Sequence, residues 1–312
     1  MFQIVRYTSS KKEEWDHFLR ESKNATFLFD RDYMDYHQDR FEDHSLLFYD
    51  EKGLYALMPA NARDDKFISH EGLTYGGLIV GERATAHEVC ILFEQLNDYL
   101  RREGFRSVVY KAIPWIYHRI PAEEDLYALF KVCKAQLTGR DISSVVFQPS
   151  PVKWRRDRRY GANKAMRDGI VVEKSDDFAA FWDVLIQNLQ MKYGAVPVHT
   201  LEEITLLKNR FPDNILLYVA RLDGEVIGGT VVYDCGKTVH AQYISATPQG
   251  KHLHAIDCIY MHLLHHGFSS KEFVDFGKST EEHGRILNET LIYQKEGFGG
   301  RGVCYDTYQW FL

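Results

Sequence analysis

Two short stretches of this chain bring together residue types that can do chemistry. In Thr247-Pro248-Gln249-Gly250-Lys251-His252, a proline, a glycine and a lysine stand between an apolar run and a helix-spaced one. A helix start presents backbone N–H groups and the positive end of the macrodipole. Gln249, Gly250, Lys251 and His252 therefore make a candidate phosphate cradle, with Lys251 supplying charge. The plainer reading is a strand-to-helix loop, and the residues alone leave both open. In Phe273-Val274-Asp275-Phe276-Gly277-Lys278, Asp275 is expected to end a buried strand, where a carboxyl is pushed toward its neutral form unless paired. Such a group can take a proton from an amine or orient it. The alternative is a structural Asp that caps Gly277 or Lys278. Tyr293 adds a candidate proton donor, and Lys278 a cation for substrate.

Three other patterns do not hold up. Asp275-Phe276-Gly277 has the letters of a kinase element, but no glycine-rich loop, V-A-I-K or H-R-D accompanies it. Gly277-Lys278-Ser279 has the letters of a Walker end, but the earlier glycine position is Glu272. His254, Cys258, His262 and His265 recur at helical spacing, yet one straight helix seldom wraps four ligands around zinc, so no metal site is expected.

From Lys153 to Arg167 the chain carries seven Lys or Arg (153, 155, 156, 158, 159, 164, 167) against one acid, Asp157, with Trp154 and Tyr160 interleaved. Such a run suits tRNA phosphates or a nucleotide-linked acceptor; a solvated connecting segment is the alternative. The whole chain has a formal net charge of -6, which argues against nonspecific coating of nucleic acid or anionic membrane. Its five cysteines are odd in number and contain no C-x-x-C pair, so reduced thiols are expected. With no apolar leader after Met1 and no long apolar run, a cytoplasmic protein without a membrane span is expected.

The elements that must position these residues follow one order twice. Ser45 to Tyr49, a turn at Asp50-Glu51-Lys52-Gly53, and Leu54 to Pro59 read as a hairpin. Leu73 to Val80 reads as a further strand, Thr85 to Glu88 as a capping box opening a helix that Gly104 closes, and Phe105 to Tyr110 as a buried strand. Past Pro149-Ser150-Pro151, Ser175 and Thr200 precede two helices. The strands Ile215 to Ala220, Val226 to Tyr233 and Thr238 to Ile244 follow, then a helix from Leu253 and the strand Phe273 to Phe276. The boundary is expected near 150, giving lobes 1–150 and 151–312.

Three antiparallel strands, a loop, a helix and a further strand resemble the core of the GNAT acyltransferases. Phe273-Val274-Asp275-Phe276-Gly277-Lys278-Ser279 and Lys295-Glu296-Gly297-Phe298-Gly299 resemble the D-F-G-x-S and K-x-x-F-G elements of the Fem-like branch. Phe211 to Ile215 and Glu71 to Gly77 support the match. The resemblance implies an α/β fold of two tandem GNAT-like lobes, each a mixed, mostly antiparallel sheet flanked by helices. Fem-like proteins transfer amino acids from charged tRNA to cell-wall precursors.

The resemblance implies an N-acyltransferase that moves an acyl group from an acyl-CoA type thioester to an amine. An aminoacyl-tRNA-dependent transferase acting on a cell-wall precursor is the alternative, and a non-catalytic ligand-binding relative is a further one. Gln249 to Ala255 departs from the phosphate signature Q/R-x-x-G-x-G/A, which puts acyl-CoA in question as co-substrate. Acyl transfer needs donors aimed at an oxyanion and a proton path. On the implied fold Gln242 and Tyr243 face the cleft, Lys295 holds an anionic acceptor or donor phosphate, and Asp275, Tyr293 and Tyr243 are the candidate catalytic groups. The donor is expected in the C-terminal lobe, because the corresponding first-lobe loop, Gly81 to Ala84, carries Glu82.

Overall fold

The computed structural model describes residues 1–312, apart from the side chain of Tyr193. The chain divides into two compact units. One comprises Met1–Ile142, Thr280–Ile286 and Cys304–Leu312, the other Ser143–Ser279 and Leu287–Val303.

In the first unit Gln3–Arg6, Leu46–Asp50, Gly53–Met58 and Ile79–Val80 form an antiparallel sheet in that order. Helix Ala86–Arg102 follows, with Thr85 accepting from the Glu88 N–H and Gly104 turning the chain at φ +90°. It leads to Ser107–Lys111, which runs parallel to Lys66–Ile68 and antiparallel to Arg301–Phe311. The core gathers Phe93, Leu96, Tyr110 and Trp310, whose indole N–H donates to Asn97 at 2.9 Å.

The second unit repeats this plan. Val171–Ser175, Ile215–Leu222, Glu225–Asp234 and Thr238–Ala246 are antiparallel neighbours, followed by helices Pro248–His252 and Ala255–His262 and by Phe273–Lys278, parallel to Thr238–Ala246. Gln136–Phe147 closes the far side of Phe273–Lys278 as Arg301–Phe311 closes Ser107–Lys111. Val274 and Phe276 enter a core with Ile259, Tyr260, Leu263 and Phe298. Burying such side chains stabilises the unit by about 1.5–3 kcal/mol each. The tandem α/β architecture expected from the element order is thus present.

Several expectations change in detail. The boundary expected near 150 falls between Ile142 and Ser143, and Cys304–Leu312 belongs with the first unit because the final strand pairs with Ser107–Lys111. Only Ile79–Val80 of the run Leu73 to Val80 is strand, since Gly77 takes φ +91° and breaks the extended chain. The cap of helix Phe178–Tyr193 is Asp177, which accepts from the Ala180 N–H, rather than Ser175. The basic run is not a connecting segment: Arg156–Arg167 is a helix of the second unit, its Gly161, Ala162 and Ala165 buried. Gly161 is required there, because a Cβ would collide with Asp257 and His254. Among the described residues no helix is long and apolar enough to cross a membrane.

Candidate active site

The second unit contains a wedge between two neighbouring strands. Thr238–Ala246 and Phe273–Lys278 are paired over Thr238↔Phe273, Val239↔Val274 and His240↔Asp275 only. Beyond that rung no ladder pairing joins the two strands among the described residues, which leaves their facing backbone groups outside that ladder. Each wall also carries a bulge. Against Glu225–Asp234 the register passes from Val231↔Tyr243 to Val232↔Ala241, so Gln242 is an extra residue. Against Gln136–Phe147 it passes from Asp275↔Val145 to Lys278↔Ser143, and Gly277 takes φ +78° within that irregularity.

Asp275 sits at the apex, in mid-strand rather than at the strand end. Its side chain is fully buried. Its Oδ1 accepts from the Ser143 hydroxyl and, at 2.9 Å, from the Gly277 N–H, and its Oδ2 lies 2.9 Å from His240 Nδ1. The cap on Gly277 is thus real, but it occupies one oxygen and leaves the other to orient an imidazole. Lys295 lies behind the bulge, 6% exposed, donating to the carbonyls of Gly277 and Lys278 at 2.8 Å each. Burial pushes its amine down to about 8 against the opposing pull of Asp275. Expected to hold an anion, Lys295 is placed instead as a clamp on the wedge wall.

Tyr243 lies on the other wall beside Trp182, and its hydroxyl meets His199 Nδ1 at 2.6 Å. Burial pushes its phenol up to about 12, which keeps it a proton donor at neutral pH. Tyr293 is placed apart: it is exposed, and Arg155 stacks 3.6 Å from its ring centroid. Among the described residues none of its contacts joins it to Asp275. At the open end of the wedge, Thr247 caps the five-residue helix Pro248–His252 by accepting from the Gly250 N–H, so that amide is already occupied. Gly250 is buried against the Ile227 carbonyl, Lys251 Nζ donates to Asn188, and His252 is exposed.

Residues 152–285 match a family model described as an acetyltransferase (GNAT) domain. The solved structure of FemX, at 10% identity, superposes with a TM-score of 0.67 over 99% of this chain and 97% of that one. The C-terminal domain of a protein assigned as a lysylphosphatidylglycerol synthetase from Agrobacterium fabrum, 12% identical, gives 0.61 over 97% and 92%. A tandem GNAT protein from the clavulanic acid biosynthesis pathway, 8% identical, gives 0.51 over 100% and 98%. The chain has the GNAT fold in its Fem-like form. No curated protein sequence matches it.

Within this GNAT fold, His240 and Ser143 are the site residues that sequence reasoning did not single out. His240 was inside a recognised strand, two residues before Gln242. Ser143 lies in the strand Gln136–Phe147, whose polar and charged residues give no alternating signal.

Proposed function

We propose that the second unit is an N-acyltransferase that moves an acyl group from a thioester to an amine. The observation that carries this reading is the wedge, which opens at the rung where Asp275 fixes His240. A thioester laid along the wedge meets strand amides suited to its developing oxyanion. Asp275 accepts the Nδ1 proton of His240, which leaves Nε2 as the basic nitrogen of the ring. The amine attacks the thioester carbonyl, forming a C–N bond and expelling the thiolate. Nε2 takes the proton the amine sheds and passes it to the departing thiolate, which leaves the imidazole neutral again. The imidazole side chain keeps 13% exposure against none for Asp275, so the proton acceptor is the reachable member of the pair. Lys251 and His252 follow the open end, and Lys251 offers a cation to the phosphates of an acyl-CoA type donor.

The test is an acyl-CoA panel with free-thiol detection and a range of amine acceptors. Thiol release that requires both donor and amine, and that is lost in His240→Ala, supports the reading. Donor and amine binding without turnover would instead make the protein a ligand-binding relative.

A second reading has its own observation. Tyr160 and Tyr293 are exposed at 58% and 61% and line a shallow depression with Arg155, Arg156 and Asp157, the acid paired with Arg155. Aromatic faces among guanidinium groups suit the unpaired end of a nucleic acid, as an aminoacyl-tRNA donor would present. The acceptor in that case would be a cell-wall precursor amine. Salt-sensitive binding of charged tRNA, weakened by Tyr160→Ala, tests it.

A further inference from the structure

A cavity of about 370 Å³ lies in the second unit, away from the wedge. The wedge opens past Asp275 toward Lys278, whereas this cavity is built around the opposite end of the same strand. There Val146 pairs with Val274, and the Gln148 N–H donates to the Glu272 carbonyl at 2.9 Å. Its walls are largely aliphatic, from Val146, Pro151, Val152, Met261 and Leu264. Lys153, Arg159 and His265 stand among them with Trp154, and no Asp or Glu lines the space.

Two further features single it out. In a chain of net charge -6, neither Lys153 nor Arg159 has an ion pair among the described residues. Three neighbours in the same basic run do: Arg155 with Asp157, Arg158 with Asp257, and Lys164 with Asp168. The second feature is local backbone geometry. Helix Ala255–His262 runs on into a π-turn, Leu263–Gly267, which puts Leu264 and His265 on the cavity wall. Such turns are rare and concentrate at functional sites. The Gln148 side chain donates to the Leu264 carbonyl at 2.8 Å and so holds the turn in place.

We propose that this cavity binds a small anionic amphiphile, an aliphatic chain ending in a phosphate or carboxylate head. The aliphatic walls take the chain, and Lys153 and Arg159 take the head. The size falls within the range of small-molecule pockets. Aliphatic side chains outnumber the single Trp154, which favours an acyl-type chain over a stacked base. Because the cavity is separate from the wedge, its occupant is neither donor nor acceptor of the proposed transfer.

Calorimetry with octyl phosphate below its micelle concentration tests this, with octanol, inorganic phosphate and adenosine monophosphate as comparisons. Octyl phosphate should bind, and each half alone, octanol or phosphate, should bind at least about tenfold more weakly. Val152→Trp, which fills the space, and Arg159→Glu, which reverses the charge, should each weaken binding about tenfold or more, with unchanged thermal melting. His240→Ala should leave it intact, which separates this cavity from the wedge whatever the outcome for acyl transfer. No heat with octyl phosphate would overturn the proposal. So would tighter binding of adenosine monophosphate, or octyl phosphate affinity unmoved by both cavity variants.

Discussion

The Lys295 ammonium donates to the Gly277 carbonyl at 2.8 Å, and to that of Lys278 at the same distance. The two sequence elements that resemble Fem-like proteins therefore meet: the lysine of K-x-x-F-G clamps the bulge that the glycine of D-F-G makes possible. Carbonyls in a bulge have left the ladder and need other donors. A long cation that reaches them from helix Glu289–Glu296 supplies these and fixes one wall of the wedge.

That placement gives a pH prediction. A free lysine titrates near 10.5, and burial lowers Lys295 to about 8. Below about pH 8 the amine is charged in both folded and unfolded chains, and the folded state bears the desolvation cost in full. From about 8 to about 10.5 the unfolded chain binds a proton that the folded chain has released, so this group's contribution to stability rises with pH. Urea unfolding of the protein and of Lys295→Met at pH 7, 9 and 10 should show the difference between them shifting in favour of the lysine as pH increases. A difference that stays flat across that window counts against the buried placement.

The apex pair gives a kinetic prediction. His240→Ala should lower kcat about a hundredfold or more, the usual scale for a lost general base, with little change in donor KM. Asp275→Asn should lower kcat as well, because its one carbonyl oxygen stays with the Ser143 hydroxyl and the Gly277 N–H, so an NH2 faces His240 Nδ1 and moves the ring proton to Nε2. It should also depress the melting temperature, which His240→Ala should not do to the same degree. An active His240→Ala enzyme would remove His240 from proton transfer.

The basic helix divides by partner. Arg158 donates to buried Asp257 at 3.1 Å, so Arg158→Ala leaves that carboxyl to the His254 imidazole, also at 3.1 Å, and should cost up to about 3 kcal/mol. Arg156, exposed and without an ion pair among the described residues, should change stability by less than about 0.5 kcal/mol when made Ala. Chemical denaturation distinguishes the two. If tRNA binds, Arg156→Ala should shallow the salt dependence by roughly one phosphate contact, while Arg158→Ala should act through folding alone.

The fold was legible where local patterns are strong. The Thr85 and Thr200 caps and the strands from Ile215 and from Val226 have local physical causes, and each is present. Gln136–Phe147 and Arg301–Phe311 were missed because both are edge-like in composition: Arg140, Asp141, Arg301 and Asp306 interrupt any alternation. Their strand state comes from partners far away in sequence, Phe273–Lys278 and Ser107–Lys111. Asp275 was legible as a buried acid, but its partner was not. Strand alternation would place His240 on the face of Gln242, yet the bulge at Gln242 breaks that period, and only the parallel register brings His240 to Asp275.

The open end of the wedge gives the last prediction, and it changes which groups of the proposed phosphate cradle could act. A strict amide cradle would make Gly250 the sensitive position. Here its N–H already donates to the Thr247 hydroxyl at 3.0 Å, and a side chain at 250 would strike the Ile227 carbonyl. Gly250→Ala should therefore destabilise the whole unit, by about 1–3 kcal/mol for an overpacked site, rather than act on the donor selectively. Charge is what remains for binding. Lys251 is exposed and rests on Asn188, an uncharged partner that a phosphate can displace. Lys251→Glu should keep the melting temperature and raise the donor KM about tenfold, while Gly81→Ala in the first unit, where a Cβ meets only Phe18 at van der Waals distance, should leave KM unchanged. A donor KM that follows Gly81 and ignores Lys251 would move the donor site to the first unit.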